Sequence, residues 1–425
     1  MPPIESNFNP LPTPHRRDVL KLCGSAALAS TIGSGRRTAF AKTGDEANVP
    51  MPCAPEAWKK HGVVIPPTEP WELNEIQNFN SNTEMLPDNR WRVWYGVNHP
   101  NPRAGSMTIA IADGEIGGEF KKTRAVITEG EPEDAPLAIG NMPGGWEPVQ
   151  PVHIHMKNGK HRLYFWAHGR KAGVQRFIAA ESDDGRRYRV VNAPNPCLIT
   201  FYDRAHPDID PVKGTRWGLR GNLPNRRSRP AEEPLVSEAQ ITNDGATVYQ
   251  LPDGSFEMYA QSLVAIDPNG PRYMGHDNLA GWVRVIDRFV SEDGLKWEQR
   301  TRVLEPDDKD SIDTQFYHLT VTHTDRGLVG LLGHYYVKDQ YMHLEWCYSK
   351  DGLKWERPLR QEWVKRGPAG EPDSFIIYPG RDIVERDGRW YFFYTGNNYG
   401  HNKVHSHGPP QGVIMLASTP NIWAS

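Results

Sequence analysis

The chain has 425 residues, and its 14 Trp, 16 Tyr and 13 Phe occur together with 39 Gly and 37 Pro. This composition is typical of many short β-strands joined by tight turns and argues against a mainly helical protein. The formal net charge is only -3, with both signs spread along the chain, so no basic stripe is present and nucleic acid is not an expected partner.

The first 41 residues have the features of an export signal. Arg16 and Arg17 precede a run of small and apolar residues at 22–33, and Ala39-Phe40-Ala41 has the small-residue pattern of a cleavage site. This order predicts a twin-arginine signal peptide over residues 1–41, cleaved after Ala41, and a periplasmic or secreted protein. No later apolar run approaches the roughly 20 residues that span a bilayer, so no membrane association is expected after cleavage.

The cysteines of residues 42–425 do not indicate a metal site or a disulfide framework. Cys53, Cys197 and Cys347 lie far apart, and an odd number leaves at least one free thiol. Cys347 lies in an apolar segment and is expected to pack as a small apolar side chain. The sequence therefore predicts neither a cofactor nor a metal, and it leaves the oligomeric state open.

One aromatic or aliphatic strand motif recurs five times in the rest of the chain, at residues 90–96, 161–166, 255–260, 327–333 and 389–396. An apolar run and a polar turn precede most copies, which predicts a β-hairpin. A third apolar segment follows each hairpin, at residues 107–112, 175–181, 283–290, 342–348 and 412–417. It usually ends in a Ser-x-Asp-Gly turn, as at Ser291, Asp293 and Gly294.

Five repeats with four antiparallel strands each predict an all-β protein in which residues 42–425 form a single five-bladed β-propeller. The fifth unit has no outer strand before Ser425. Residues 61–65 are expected to supply that strand and to close the ring from the N-terminal side. A jelly roll is the competing all-β architecture, but it does not explain five copies of one three-strand pattern.

Polar residues in or just before the first strand of each unit are the candidates for a substrate site, because these strands surround the channel of a propeller. Asp and Glu are depleted in strands, so their recurrence at these positions indicates function. The candidates for substrate binding are Glu72, His153, His155, Tyr317, His318, Glu371, Asp373 and Arg381. Aromatic side chains such as Trp146 and Trp282 are candidates for stacking on sugar rings.

Converging carboxylates suit glycoside hydrolysis, in which one acid protonates the leaving oxygen and a second carboxylate acts as base or nucleophile. The candidates for these catalytic roles are Glu238 or Asp244 from the third unit, together with Asp313 from the fourth. A carbohydrate substrate is the partner that this chemistry predicts.

The repeated Ser-x-Asp-Gly-x-x-Trp turn at 291–297 and 349–355, with residues 313–319 leading into a strand, resembles the five-bladed glycoside hydrolases related to families 32, 43, 68, 117 and 130. The resemblance extends from about residue 72 to residue 423 and implies a glycosidase with acidic residues on the inner strands. Family 43 places an Asp in the second inner strand, where this chain has His153 and His155. Relatives in family 117 use a histidine as acid, which adds His401 to the substrate-site candidates.

The leading interpretation is an exported glycoside hydrolase that acts on a plant or algal polysaccharide or oligosaccharide. Two other functions remain open at this point. A non-catalytic carbohydrate-binding propeller would tolerate loss of one carboxylate with only weakened affinity. A polysaccharide lyase would use His153, His318 or Tyr317 as base and Arg381 to neutralise a uronate, and would release an unsaturated product.

Overall fold

The computed structural model describes residues 52–76, 82–97, 107–169, 173–200, 203, 239–242, 245–266, 269–297, 299–402 and 405–421. The predicted export signal, Glu238 and Asp244 lie outside these residues. Regular structure in the described ranges is β-strand, with two short 3-10 helices at Pro55–Ala57 and Pro70–Glu72. The all-β prediction is confirmed. No helix in this part of the chain is long and apolar enough to cross a membrane.

The strands follow the repeat that is visible in the sequence. The N-terminal strand β1 spans Lys59–Ile65. The first unit contains β2 (Asn82–Met85), β3 (Trp91–Val97), β4 (Thr108–Gly114) and β5 (Lys121–Arg124). The second unit contains β6 (Val126–Ile127), β7 (Ala138–Gly140), β8 (Glu147–His155), β9 (His161–Gly169), β10 (Val174–Ser182), β11 (Arg187–Val190) and β12 (Leu198–Ile199).

The remaining strands form three further units. The third contains β13 (Ala239–Ile241), β14 (Thr247–Gln250), β15 (Phe256–Ala265), β16 (Trp282–Ser291) and β17 (Gln299–Leu304). The fourth contains β18 (Thr314–Thr324), β19 (Gly327–Tyr336), β20 (Tyr341–Ser349), β21 (Trp355–Glu356) and β22 (Glu362–Val364). The fifth contains β23 (Ile376–Pro379), β24 (Val384–Arg386), β25 (Arg389–Asn397) and β26 (Gly412–Pro420).

Each unit is built around an antiparallel hairpin with a third strand beside it. β3, β9, β15 and β19 each lie between the strand before and the strand after them, and β25 lies between the short pair β23 and β24 and the long β26. Hydrogen bonding joins the strands of the described ranges into four sheets, because one parallel pair, Met342 with Ile376, connects the fourth unit to the fifth.

The N-terminal strand pairs with the last strand of the fifth unit. β1 pairs antiparallel with β26, with Lys60 opposite Ala417 and Ile65 opposite Ile414. This is the pairing expected for residues 61–65. It gives β26, which would otherwise be an open sheet edge, a hydrogen-bonded neighbour.

The hydrophobic core consists mainly of clusters between units. One cluster joins the first and second units, one the second and third, one the third and fourth, and one the fourth and fifth. A further cluster joins the fifth unit to the first, where the rings of Trp91 and Phe393 lie 5.3 Å apart. All three cysteines in the described ranges are buried and unbridged, and Cys347 packs in the third cluster as predicted.

The Ser-x-Asp-Gly turns have a local physical basis. In the turn after β16, the hydroxyl oxygen of Ser291 accepts a hydrogen bond of 2.9 Å from the backbone N–H of Gly294. One carboxylate oxygen of Asp293 accepts the N–H groups of Leu295 and Lys296 at 2.8 Å each. The glycine has a φ of +72°, a conformation that side chains rarely adopt. Side chains close in sequence therefore accept hydrogen bonds from the backbone N–H groups of the turn, which explains why the motif repeats.

We expect Gly294→Ala to lower the free energy of unfolding by about 3 kcal/mol, because overpacking adds to the cost of the positive φ. A Cβ at this position would lie 2.5 Å from the Tyr164 hydroxyl and 2.6 Å from the Arg162 guanidinium. Gly254 has a φ of +93° but nothing within 4 Å of a Cβ, so Gly254→Ala should cost only about 1 kcal/mol. Urea denaturation measures both values, and equal losses would contradict the steric explanation.

Candidate functional site

The candidate site is centred on a β-bulge in β18, the first long strand of the fourth unit. Phe316 pairs with His334 and His318 pairs with Gly333, so that Tyr317 is the extra residue on β18. A bulge locally disrupts the ladder and changes the direction of a side chain, and bulges are frequent next to active sites. Here it places the Tyr317 ring beside the loop between β25 and β26.

Tyr317 and His401 form a hydrogen-bonded pair. The Tyr317 hydroxyl lies 2.7 Å from Nε2 of His401, and Nδ1 of His401 lies 3.2 Å from the side-chain oxygen of Asn402. An amide oxygen only accepts, which assigns the imidazole proton to Nδ1 and makes Nε2 the acceptor for the tyrosine O–H. Burial, and then the positive charge of Arg284, lower the pKa of His401 to about 4. The imidazole is therefore neutral at pH 7 and available as a proton acceptor.

A buried ion pair between Arg284 and Asp277 lies beside the Tyr317 ring. The Arg284 side chain, 0% exposed, donates from Nη1 to Asp277 at 2.9 Å and to Gln315 at 2.6 Å. Its guanidinium lies 5.0 Å from the Tyr317 ring centroid and 5.4 Å from that of Tyr335. A fixed cation at this distance favours negative charge developing on the Tyr317 oxygen.

Asp277 is held in its ionised form by these neighbours. Burial raises its pKa, but the charge and hydrogen bond of Arg284, together with His401 and Tyr335, outweigh burial and leave the pKa below the usual value. The second oxygen of Asp277 accepts the Tyr335 hydroxyl at 3.3 Å. Burial, followed by the charge of Asp277, raises the pKa of Tyr335. Tyr335 thus stays a neutral donor, whereas Tyr317 has a neutral base as its partner.

His318 is fully buried beside Tyr317. Burial, and then His401, lower its pKa well below the usual value, so the imidazole is neutral. Gly245, ahead of β14, packs against it: a Cβ there would lie 2.8 Å from the carbonyl oxygen of Tyr317 and closer still to the His318 ring. Only glycine admits this approach of the third unit to the fourth. The residue before it, Asp244, lies outside the described residues.

Gln150 lies at a second strand irregularity, in β8, the first long strand of the second unit. Two residues, Gln150 and Pro151, interrupt the pairing of β8 with β9 between Val149 and Val152. Gln150 has a φ of 57° and is 3% exposed, and its side-chain oxygen has no hydrogen-bond partner among the described residues. Strained backbone and an unsatisfied buried oxygen are typical of ligand sites. Neither feature can be seen in a sequence.

Asp313 lies four residues before Tyr317, partly exposed at the start of β18. Its carboxylate accepts the Ser311 hydroxyl at 2.6 Å and the backbone N–H of Lys338 at 3.1 Å. These two contacts fix the carboxylate at the end of the strand that carries Tyr317 and His318. Of the predicted substrate-site residues, the structure brings Tyr317, His318 and His401 into direct contact.

Arg381 connects three units. Its Nε donates to the carbonyl of Val248 at 2.9 Å and its Nη1 donates to the carbonyl of His153 at 3.0 Å. Its own carbonyl accepts the Tyr249 hydroxyl at 2.8 Å. A residue between β23 and β24 thus reaches β8 and β14, which brings the first strands of three units to one place.

His153 and His155 belong to a separate histidine stack. Nδ1 of His153 lies 3.1 Å from a Glu84 oxygen, and Nε2 lies 3.2 Å from Nδ1 of His161. The exposed His155 ring stacks on His161 at 4.5 Å. Burial raises the pKa of Glu84, but His153, Trp94 and Arg92 together outweigh burial and lower that pKa to about 2. The described contacts of this stack do not include the Tyr317 cluster.

The other predicted carboxylates have different surroundings. Glu72 is buried and accepts Lys122 Nζ at 2.6 Å and the Tyr95 hydroxyl at 2.8 Å. Asp373 is buried and accepts Lys60 Nζ at 2.5 Å and the Tyr394 hydroxyl at 2.9 Å. Each carboxylate forms an ion pair with a lysine on a strand, Lys122 of β5 or Lys60 of β1. Glu371 is exposed in a turn. In the part of the chain that the structure describes, no group of three or more His, Cys, Asp or Glu side chains is placed to hold a metal ion.

We expect the imidazole of His401 to titrate near pH 4, because burial and Arg284 disfavour its charged form. It therefore accepts the Tyr317 proton at neutral pH and loses this ability when acid protonates it below about pH 4. NMR of protein labelled at histidine measures the titration, and His401→Gln identifies the resonance. A midpoint near the ordinary histidine pKa of about 6.5 would contradict a buried, neutral His401.

Comparison with known proteins shows the fold. No protein-family model and no curated protein sequence matches the chain. A solved structure described as a glycoside hydrolase is 12% identical with a TM-score of 0.53, covering 84% of this chain and 90% of that one. An N-acetylgalactosamine deacetylase from F. plautii, in complex with blood group B trisaccharide, is 13% identical with a TM-score of 0.52, covering 86% and 96%. The chain thus has the all-β, propeller-like fold of these carbohydrate-active proteins.

Proposed function

We propose that the chain is an exported glycoside hydrolase that cleaves glycosidic bonds in a plant or algal polysaccharide or oligosaccharide. The observation that carries the proposal is the 2.7 Å hydrogen bond between Tyr317 and the neutral His401, above the buried Arg284. It combines a proton donor, a proton acceptor and a fixed charge, as acid–base catalysis requires. The cluster lies in a fold shared with a solved glycoside hydrolase.

We also propose that, after cleavage at Ala41, the five units form one closed five-bladed ring around a central channel. Three observations support the ring. Hydrophobic clusters join each unit to the next and the fifth to the first. β1 pairs with β26, and Arg381 bonds strands of the second and third units.

In the proposed mechanism two carboxylates flank the scissile bond. Asp313 supplies one of them, and Glu238 or Asp244 of the third unit supplies the other. Tyr317 relays one proton: His401 Nε2 takes the proton of the tyrosine hydroxyl, and the tyrosine oxygen takes one proton in its place from the attacking water. Gly245, the residue that follows Asp244 in the chain, packs on His318, and this contact supports the choice of Asp244.

A polysaccharide lyase is a second candidate, and the Tyr317–His401 hydrogen bond favours it as well. Such a pair can remove the proton next to a uronate carboxylate. The arginine proposed to neutralise the uronate, Arg381, instead donates to the backbone carbonyls of Val248 and His153. Arg284 is buried and bonded to Asp277 and Gln315. These contacts favour the hydrolase over the lyase.

The test is a reducing-end assay of the purified full chain on plant and algal polysaccharides, with ultraviolet detection of unsaturated products. Acetate release from acetylated amino sugars is measured alongside, since one structural neighbour is a deacetylase. We expect new reducing ends without unsaturated product or acetate, and a loss of at least about a hundredfold in Asp313→Asn. Glu238→Gln and Asp244→Asn identify the second carboxylate.

Asp308→Asn is the matched control, because Asp308 is exposed in the same segment five residues before Asp313. Its turnover should equal that of the wild type. Release of an unsaturated product would show that the chain is a lyase. Release of acetate alone would show that it is a deacetylase and not a glycoside hydrolase. Retention on a polysaccharide without any turnover would leave a non-catalytic carbohydrate-binding propeller.

Export is tested through the two Arg-Arg pairs of the N-terminal segment. We expect Arg16→Lys with Arg17→Lys to leave the precursor in the cytoplasm, because the twin-arginine route reads the pair that precedes the apolar run. Arg36 and Arg37 follow that run, so the same double change there should leave export intact. Cell fractionation and N-terminal sequencing measure both outcomes. If the variant with Arg16→Lys and Arg17→Lys were still exported, the predicted twin-arginine signal would be wrong.

A further inference from the structure

A cavity between the first and second units lies apart from the Tyr317 cluster. Its volume is about 440 Å³, and it is lined by the beginnings of β4 and β8 and by the end of β5 with β6. This size is within the range of small-molecule sites in proteins, roughly 300–1,000 Å³. β8 is the first long strand of the second unit, as β18 is of the fourth. The cavity lies at the beginning of β8, and Tyr317 lies near the beginning of β18.

One wall of the cavity is a fixed tryptophan. The Trp146 side chain is partly exposed, and the Arg176 guanidinium lies 5.1 Å from its ring centroid. Arg176 is itself held by Asp203 at 2.9 Å. Gly169 lies against the same indole: a Cβ there would be 2.9 Å from Trp146 Cδ1. The ring is thus oriented before any ligand binds, which lowers the entropic cost of binding.

The charged groups that line the cavity include one cation, Arg124, and one anion, Glu147. Arg124 is exposed, and its Nε donates to the Thr108 hydroxyl at 3.4 Å. Glu147, next to Trp146, is partly exposed and supplies carboxylate oxygens. One cation and one anion leave the lining without net charge, which disfavours a strongly anionic ligand. The pair offers donors and acceptors to neighbouring hydroxyl groups.

We propose that this cavity is a second glycan-binding site, which takes a neutral pyranose of the substrate chain at a distance from the point of cleavage. The C–H face of the sugar stacks on Trp146, and its hydroxyls bond to Arg124, Glu147 and Thr108. The inference rests on the proposed function, because it assumes that the substrate is a polysaccharide. Its role is to hold a long chain on the enzyme.

Affinity gel electrophoresis of the full chain tests the site, with galactomannan and arabinoxylan as neutral probes and polygalacturonate as an anionic probe. Tyr317→Phe serves as the background so that hydrolysis does not consume the probe. We expect retardation by a neutral probe, and an affinity about tenfold lower after Trp146→Ala. Trp71→Ala, at another partly buried tryptophan outside the cavity, should change the affinity little.

Arg124→Ala keeps the inference testable if Trp146→Ala unfolds, since Arg124 is exposed; it should also weaken retardation by the neutral probe. Unchanged binding in folded Trp146→Ala and Arg124→Ala would overturn the second site alone. Stronger retardation by polygalacturonate than by either neutral probe would overturn the neutral ligand. A wild type that neither binds nor cleaves any polysaccharide would overturn the proposed function itself.

Discussion

Replacement of Tyr317 by phenylalanine should lower turnover by about a hundredfold or more, in the range that loss of a general acid or base produces. The variant removes one oxygen, the atom 2.7 Å from Nε2 of His401, and keeps the ring that packs against Tyr335 and Tyr378. The fold should therefore persist. Steady-state kinetics on the substrate found in the reducing-end assay measures the loss, and circular dichroism verifies the fold.

Tyr394→Phe is the matched control for this experiment. The Tyr394 hydroxyl also donates a buried hydrogen bond, to Asp373 at 2.9 Å, but that bond lies outside the Tyr317 cluster. Its loss should cost about 1 kcal/mol of stability and leave turnover within about twofold. If Tyr317→Phe were as active as Tyr394→Phe, the Tyr317–His401 pair would have no part in the mechanism.

Asp277→Asn should be among the most destabilising single substitutions in the site, at about 3–5 kcal/mol. The change leaves the fully buried Arg284 without the carboxylate at 2.9 Å, and its other acceptors, Gln315 and Asn278, are neutral amides. An unpaired charge away from water is costly because nothing replaces its hydration. The midpoint of urea denaturation measures the effect.

The control for this prediction is an exposed ion pair of similar length. Asp88 and Arg90 are separated by 2.7 Å, but their side chains are 52% and 43% exposed. Water screens such a pair, so Asp88→Asn should lower the free energy of unfolding far less than Asp277→Asn does. Equal losses in the two variants would mean that burial of the Asp277–Arg284 pair does not determine its contribution.

The strand repeat could be predicted because it depends on neighbours in the sequence. Alternating apolar residues define a strand, and Ser291 and Asp293 bond backbone groups within five residues of themselves. Tyr317 and His318 could be predicted for the same reason, since both lie on one strand whose place in the unit follows from the repeat.

The partners of these residues could not be predicted. His401 lies in the loop between β25 and β26, and Arg284 lies on the third strand of another unit, so only packing between units brings them to Tyr317. The bulge that turns Tyr317 toward them has no signature in the residues around it. In the same way, the residues around Glu72 and Asp373 in the sequence do not indicate the lysine to which each carboxylate is bonded in the fold.

The amino-acid sequence by itself determined the all-β class, the repeated hairpins, the Ser-x-Asp-Gly turns and the strand that pairs with β26. These features arise from local hydrogen bonds and from the alternation of apolar residues, which nearby residues specify. The tertiary structure alone decided which polar side chains meet, which carboxylates are neutralised, and that Trp146 borders a cavity. Such contacts join residues far apart in the chain, and their geometry exists only once the units have packed together.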